Sequence, residues 1–216
     1  MDEHNKDLAL KLIQETKTIA LVPSKIAATD SFGAAVGMYF TLLDMEKDVY
    51  FVYPGKVPDD AAGLIEKDRI ISNVDERELL VSIDYADTVA ASAHYSTEGE
   101  SLRIKLGPVS KDFSPMDRVK VELVGFEFDL IIVFGAQELE DLGGTFTNLR
   151  ESFSSAHLIN IDNTERNELY GDVNLIDPTA LSLSQQVFKY TSEWKMVPNE
   201  KAARAFLTGM TYRTPN

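Results

Sequence analysis

Short apolar runs of strand length alternate with segments of helical period, and together they predict an α/β fold: a mainly parallel sheet with helices on both faces. Two observations carry this. Ile19 to Val22 and Leu130 to Phe134 are continuous apolar runs, as strands buried on both faces require. Between the first run and the next strand, Phe32, Ala35, Val36, Tyr39, Phe40 and Leu43 recur at helical spacing. With 216 residues, 44% of them apolar, the chain can build a sizeable core.

The elements follow in order. Leu8, Ala9, Leu12 and Ile13 share one helical face and predict a helix from about Glu3 to Thr16. Ile19 to Val22 is a strand ended by Pro23. Thr29 and Asp30 are good N-cap types for the Phe32 helix. Val49, Phe51 and Tyr53 alternate as a strand that Pro54-Gly55 ends. Leu79 to Ile83 is a further apolar run of strand length. Val89 to Tyr95 and Leu102 to Leu106 are strand-like and joined by a turn over Thr97 to Glu100; Val119, Val121 and Leu123 alternate again. Residues 85–126 therefore read as a β insertion in a single α/β domain spanning 1–216. Leu139, Leu142, Phe146 and Leu149 predict a helix weakened by Gly143-Gly144. Leu158 to Ile161 is the next strand. Two helices close the chain, one through Leu183, Val187, Phe188 and Trp194, the other through Ala203, Phe206, Leu207 and Met210.

Charge and composition exclude several functions. With 35 acidic and 21 basic residues the formal net charge is −14, and Lys and Arg are scattered singly. Such a surface repels phosphate backbones, which disfavours nucleic acid as a partner. The absence of cysteine excludes disulfides, thiolate metal sites and a Cys nucleophile, and fits a reducing cytoplasm. His4, His94 and His157 are far apart in sequence, so a zinc site or His-dependent triad would need distant segments to converge. Phe32 to Leu43 is too short to span a bilayer, and the polar, acidic N-terminus is unlike a signal peptide. The expectation is a soluble, cytoplasmic protein.

The segment from Asn160 to Pro178 is the most informative. A strand ends in Asp162-Asn163-Thr164; Asn167 follows, and then Gly171-Asp172-Val173-Asn174-Leu175-Ile176-Asp177-Pro178. This is very similar to the signature of DHH phosphoesterases, in which the strand ends in Asp-His-His and a Gly-Asp-x-Asn-x-x-Asp-Pro stretch follows. The resemblance extends outward. Ser24 to Asp30 lies where the family carries His-x-x-x-Asp-x-Asp, with Ser24 and Ala28 replacing the His and the first Asp. Gly135 follows the Leu130 strand where the second motif places an Asp. Thr208-Gly209 to Thr214 is similar to Thr-Gly-x-x-x-Asp-Thr, with Arg213 at the Asp position. The likeness looks closest to the oligoribonuclease and PAP-phosphatase branch, with the RecJ-like exonucleases. It covers the first domain of those proteins only; the chain stops where they begin a C-terminal substrate-binding domain.

What the resemblance implies is a degenerate site. The family uses two Mn or Mg ions, one activating water and the other steadying the leaving oxygen, and holding both takes several carboxylates and imidazoles. The inherited positions are Ser24, Lys25, Ala28, Asp30, Gly135, Asp162, Asn163, Thr164 and Arg213. Ala28 and Gly135 offer no donor, and Arg213 adds a positive charge that opposes cations. The expectation is therefore no catalytic residue, no metal and no other cofactor. Arg213 is expected to pair with Asp30, Asp162 or both, against the alternative that it points into solvent.

Plainer readings stand beside these. Asp30 is equally an N-cap, Gly33 and Gly37 permit close helix-sheet packing, and Asp172 and Asn174 suit turns. Lys25 suits a solvated surface, and the Asp84 and Asp87 pair lacks a basic partner. The function expected is that of a structural or protein-interaction module, with a protein partner or a homo-oligomer. The alternatives are a nucleotide- or phosphate-binding module without hydrolysis, or an active phosphoesterase of nucleotides or short oligonucleotides.

Overall fold

In chain order the elements are helix α1 (Glu3–Glu15), strand β1 (Thr18–Pro23), α2 (Ala28–Leu43), β2 (Asp48–Val52), β3 (Ile70–Ile71), β4 (Glu78–Ile83), β5 (Ser92–Glu98) and β6 (Ser101–Gly107). There follow α3 (Pro115–Arg118), β7 (Val119–Val124), β8 (Leu130–Phe134), α4 (Gly144–Asn148), α5 (Arg150–Ser155), β9 (His157–Asp162), β10 (Val173–Ile176), α6 (Leu183–Glu193) and α7 (Glu200–Arg213). The computed structural model describes residues 3–74, 78–88 and 92–213, and only the backbone of Glu78, Leu123, Val124 and Arg213. The chain divides into two compact units, residues 1–76 with 126–216, and residues 77–125.

The first unit is built on a six-stranded sheet of order β10-β9-β8-β1-β2-β3. Every neighbouring pair is parallel. In sequence terms this is the doubly wound order, and strand order reverses between β1 and β8. Alternation along the strands divides the core in two. Ile19 and Leu21 of β1 join Leu130, Ile132 and Phe134 on one face, packed by α1, α2, α6 and α7. Ala20, Val22, Ile131 and Val133 point the other way, toward Leu142, Leu149 and Phe153. Helices thus cover both faces, the long ones on one side and short pieces on the other.

Those short pieces have a local cause. The helix expected after Phe134 is broken into a 3-10 turn at Leu139–Leu142, then α4 and α5. Gly143 between them takes a φ of +57°, which a helix cannot continue through. On the opposite face, glycines let two helices approach. A Cβ on Gly33 would stand 2.8 Å from the Ala205 carbonyl, and one on Gly37 would collide with the Phe206 ring. The close packing expected of Gly33 and Gly37 is thus between α2 and α7, not between helix and sheet.

Leu79 to Ile83 forms a strand outside the parallel sheet. Within the unit 77–125, β4 pairs antiparallel with β7, with Val81 opposite Val121. The unit begins before Tyr85 because the partner of this apolar run lies at its far end. The hairpin expected from the turn residues is present as β5 and β6, joined by Gly99-Glu100 with Gly99 at φ +59°. Glycine first in a two-residue loop is the signature of a type II′ turn. Val89, Ala90 and Ala91, which the expected hairpin included, lie outside the described residues.

Candidate functional site at the carboxyl ends of the strands

In a doubly wound sheet the crevice lies outside the carboxyl ends of the strands where the order reverses, here between β1 and β8. The chain after β1 turns sharply. The Ser24 N–H donates to the Phe134 carbonyl at 2.8 Å, continuing the ladder, and its Oγ accepts the Ile26 N–H at 3.1 Å. Its carbonyl accepts the Ser31 hydroxyl at 2.6 Å. Ser24 is therefore buried as a turn residue. Lys25 is exposed, and its Nζ donates to the Pro54 carbonyl at 2.7 Å, which ties the loop to the end of β2. Ala28 enters α2 with φ +46°, a left-handed conformation that costs an alanine about 1–2 kcal/mol.

Asp30 does not cap its own helix. The residue before α2 is Ala27, with no side-chain cap. The Asp30 carboxylate instead reaches across to α6, whose first N–H groups have no partner within the helix. The Leu183 N–H donates to Oδ2 and the Ser184 N–H to Oδ1, each at 2.8 Å. Ser182 completes the arrangement by accepting the Gln185 N–H at 3.0 Å. A helix N-terminus is a ready anion site; here the chain supplies the anion, on a side chain with 0% exposure.

Gly135 ends β8 at φ +70°, and a Cβ there would stand 2.9 Å from the Ala27 Cβ and 3.1 Å from Leu183 Cδ2. Both conformation and space require glycine. The position that resemblance gives to an Asp is thus closed to any side chain, with Ala27, Leu183 and Ser31 standing against it.

Asp162, 1% exposed at the end of β9, anchors a buried polar network. Its Oδ1 accepts the Asn163 N–H at 2.8 Å; its Oδ2 accepts the Thr164 hydroxyl at 2.6 Å and the Asn167 amide at 2.9 Å. Asn160 donates to both Asn167 (2.7 Å) and Asn174 (3.0 Å), and Asn174 closes the Gly171 turn by accepting its N–H and donating to its carbonyl. A Cβ on Gly171 would stand 2.8 Å from the Val173 carbonyl. Asp172 accepts the Leu158 N–H at 3.0 Å. Asp177 accepts the Thr179 hydroxyl and N–H, which hold its carboxyl below the usual range. The Asn163 amide donates to the Ala180 carbonyl at 3.3 Å. So the residues that best match the signature join β9 to the edge strand β10.

Sequence reasoning missed three members. Asn160 interrupts an apolar run, which was the signal available. Gln186 lies on the buried face of α6, and its Nε2 donates to the Leu175 carbonyl at 2.8 Å and the Asp162 carbonyl at 3.2 Å, stitching the helix to the strand ends. The Tyr170 hydroxyl donates to the Ala136 carbonyl at 3.1 Å; burial, then the Asp162 and Asp141 carboxylates, push its pKa well above the ordinary value of 10.0. Asp84 accepts the Ala86 N–H at 2.9 Å, a local turn. The Arg213 side chain lies outside the described residues, and with it the expected pairing to Asp30 or Asp162.

Both Asp30 oxygens and both Asp162 oxygens accept hydrogen bonds from the chain itself, while Ala28 and Gly135 have no donor to offer. Among the described residues no three His, Asp or Glu side chains stand together as a metal-binding group. No helix among them is long and apolar enough to cross a membrane.

No protein-family model matches the chain, and no curated protein matches it. Among solved structures, it is similar to the crystal structure of an exopolyphosphatase-related protein from Bacteroides fragilis, with a TM-score of 0.67 and 15% identity over 99% of this chain. This chain spans about half of that one, 51% of its length. The likeness is one of fold, a mainly parallel six-stranded α/β sheet shared with a phosphatase-related protein.

Proposed function

We propose that this chain uses a phosphoesterase-type fold without two-metal hydrolysis, as a structural or protein-interaction module. The observation that supports this is the state of Asp30. The one inherited first-motif carboxylate is spent on the N-terminus of α6, with each oxygen on a backbone N–H at 2.8 Å. A metal ion there would have to share both oxygens with these N–H groups, on a residue with 0% exposure. Asp162 is held in the same way, and the second-motif position is a glycine with no room for a side chain.

The phosphatase-related neighbour and the signature-like segment around Asp162 point to an ancestor that hydrolysed phosphate esters or anhydrides. The test is hydrolysis of a chromogenic phosphodiester, of short oligonucleotides and of polyphosphate with added Mn²⁺ or Mg²⁺. The expected result is no turnover above a denatured control; metal-dependent turnover that survives further purification overturns the reading. The phosphate-binding alternative draws less support, because Ala27, Ser31 and Leu183 stand close against the backbone of Gly135 at the end of β8. The open groove nearby, about 470 Å³ and lined by Asp177, Thr179, Gln185, Phe188 and Lys189, lies beside α6.

A further inference from the structure

The unit 77–125 is short of a core. None of its described residues is buried. In the β5–β6 ribbon, Ala93 lies opposite Leu106, Tyr95 opposite Ile104 and Thr97 opposite Leu102, so these six share one face. Tyr95, Ile104 and Leu102 are 81%, 56% and 65% exposed. A two-stranded ribbon is marginal alone; three or more strands with an apolar face are needed for independent stability.

The two edges of this ribbon differ. β6 carries Arg103 and Lys105, charges of the kind that blunt an edge against pairing, whereas β5 contains no Lys, Arg or Pro. The two-residue turn makes Glu98 and Ser101 the hydrogen-bonded closing pair, so alternation turns the N–H and C=O groups of Tyr95 and Thr97 to the side of β5 away from β6. The strand Ser92–Glu98 is also complementary to itself. Antiparallel pairing with a copy, centred on Ser96, sets Tyr95 against Thr97 on the apolar face. On the polar face it sets His94 beside Glu98, whose carboxylate also pairs with Arg103 of its own ribbon. The same operation on β6, centred on Ile104, sets Arg103 against Lys105 and is repulsive.

We infer that β5 is a homodimerisation edge, pairing antiparallel with β5 of a second copy to give a four-stranded sheet. This rests on the interaction-module reading and names its partner, yet it is tested separately: hydrolysis assays report on the first unit, mass and cross-linking on this one.

The test is sedimentation or light scattering of the full chain, together with engineered cysteines in a protein that has none. The expected mass is twice the 24.1 kDa of one chain. Ser96→Cys should form an intermolecular disulfide under mild oxidation, because the two-fold axis places it opposite its own copy in a non-hydrogen-bonded pair. The Cα separation there is about 4.5 Å, within disulfide reach. Ser92→Cys, about 27 Å from its copy in that register, should not. His94→Glu faces Glu98 of the second copy with a like charge at both ends and should weaken the dimer about tenfold. A monomer at high protein concentration overturns the proposal. So does a dimer in which Ser96→Cys fails to cross-link or which ignores His94→Glu.

Discussion

Asp30 and Ser184 are joined twice, the Ser184 N–H donating to the Asp30 carboxylate at 2.8 Å and the Ser184 hydroxyl to the Asp30 carbonyl at 2.9 Å. Residues 154 positions apart in sequence are thereby locked at the start of two helices. Asp30→Asn keeps the shape but loses one acceptor and the charge facing the helix N-terminus. It should destabilise the protein by about 2–3 kcal/mol in urea denaturation. An unchanged midpoint would mean that the carboxylate is not the cap described.

Gly135→Asp reinstates the carboxylate that the family resemblance places after β8. With φ at +70° and Ala27 and Leu183 against any Cβ, the substitution should cost about 3 kcal/mol and confer no metal affinity. Denaturation and metal titration of the variant check both halves. A folded variant that binds Mn²⁺ would contradict the geometry of this corner.

Ala28→Gly should act in the opposite direction. The alanine sits at φ +46° in the first turn of α2, where glycine is not penalised, so relief of about 1 kcal/mol is expected as a higher urea midpoint. A loss of stability of that size would show that the left-handed conformation carries no strain.

Alkaline pH separates the buried tyrosines from the rest. Burial raises the pKa of Tyr170, Tyr190 and Tyr53 above 10.0 in the folded protein. Raised folded values mean that the stability they contribute is present below the unfolded pKa and is lost as pH climbs beyond it. Tyrosinate absorbance from Tyr170, Tyr190 and Tyr53 should therefore appear above pH 10.0 and together with unfolding. Ionisation of all 8 tyrosines before any loss of structure would contradict the burial of Tyr170.

Much of the fold was legible because its signals are local. The runs ending at Val22, Phe134 and Ile161 became the central strands, and Gly99 marked the hairpin. What escaped depends on distant partners. Leu79 to Ile83 is apolar enough for a core strand, and only its pairing with Val119 to Val124 takes it out of the sheet. β10 was hidden because it is a short edge strand that carries Asn174, whose side chain serves the Gly171 turn. At the site, the identities of Ala28 and Gly135 were readable, but the work of Asp30 was not. Its local sequence suits an N-cap of α2, and the N–H groups it satisfies belong to a helix that starts at Leu183.

Whether Asp30 and Asp162 hold the fold and not metals is decided by elemental analysis after equilibration with excess Mn²⁺ and desalting. Far less than one Mn²⁺ per chain is expected. Retention of about one or two ions per chain, the stoichiometry of a mono- or two-metal centre, would contradict it.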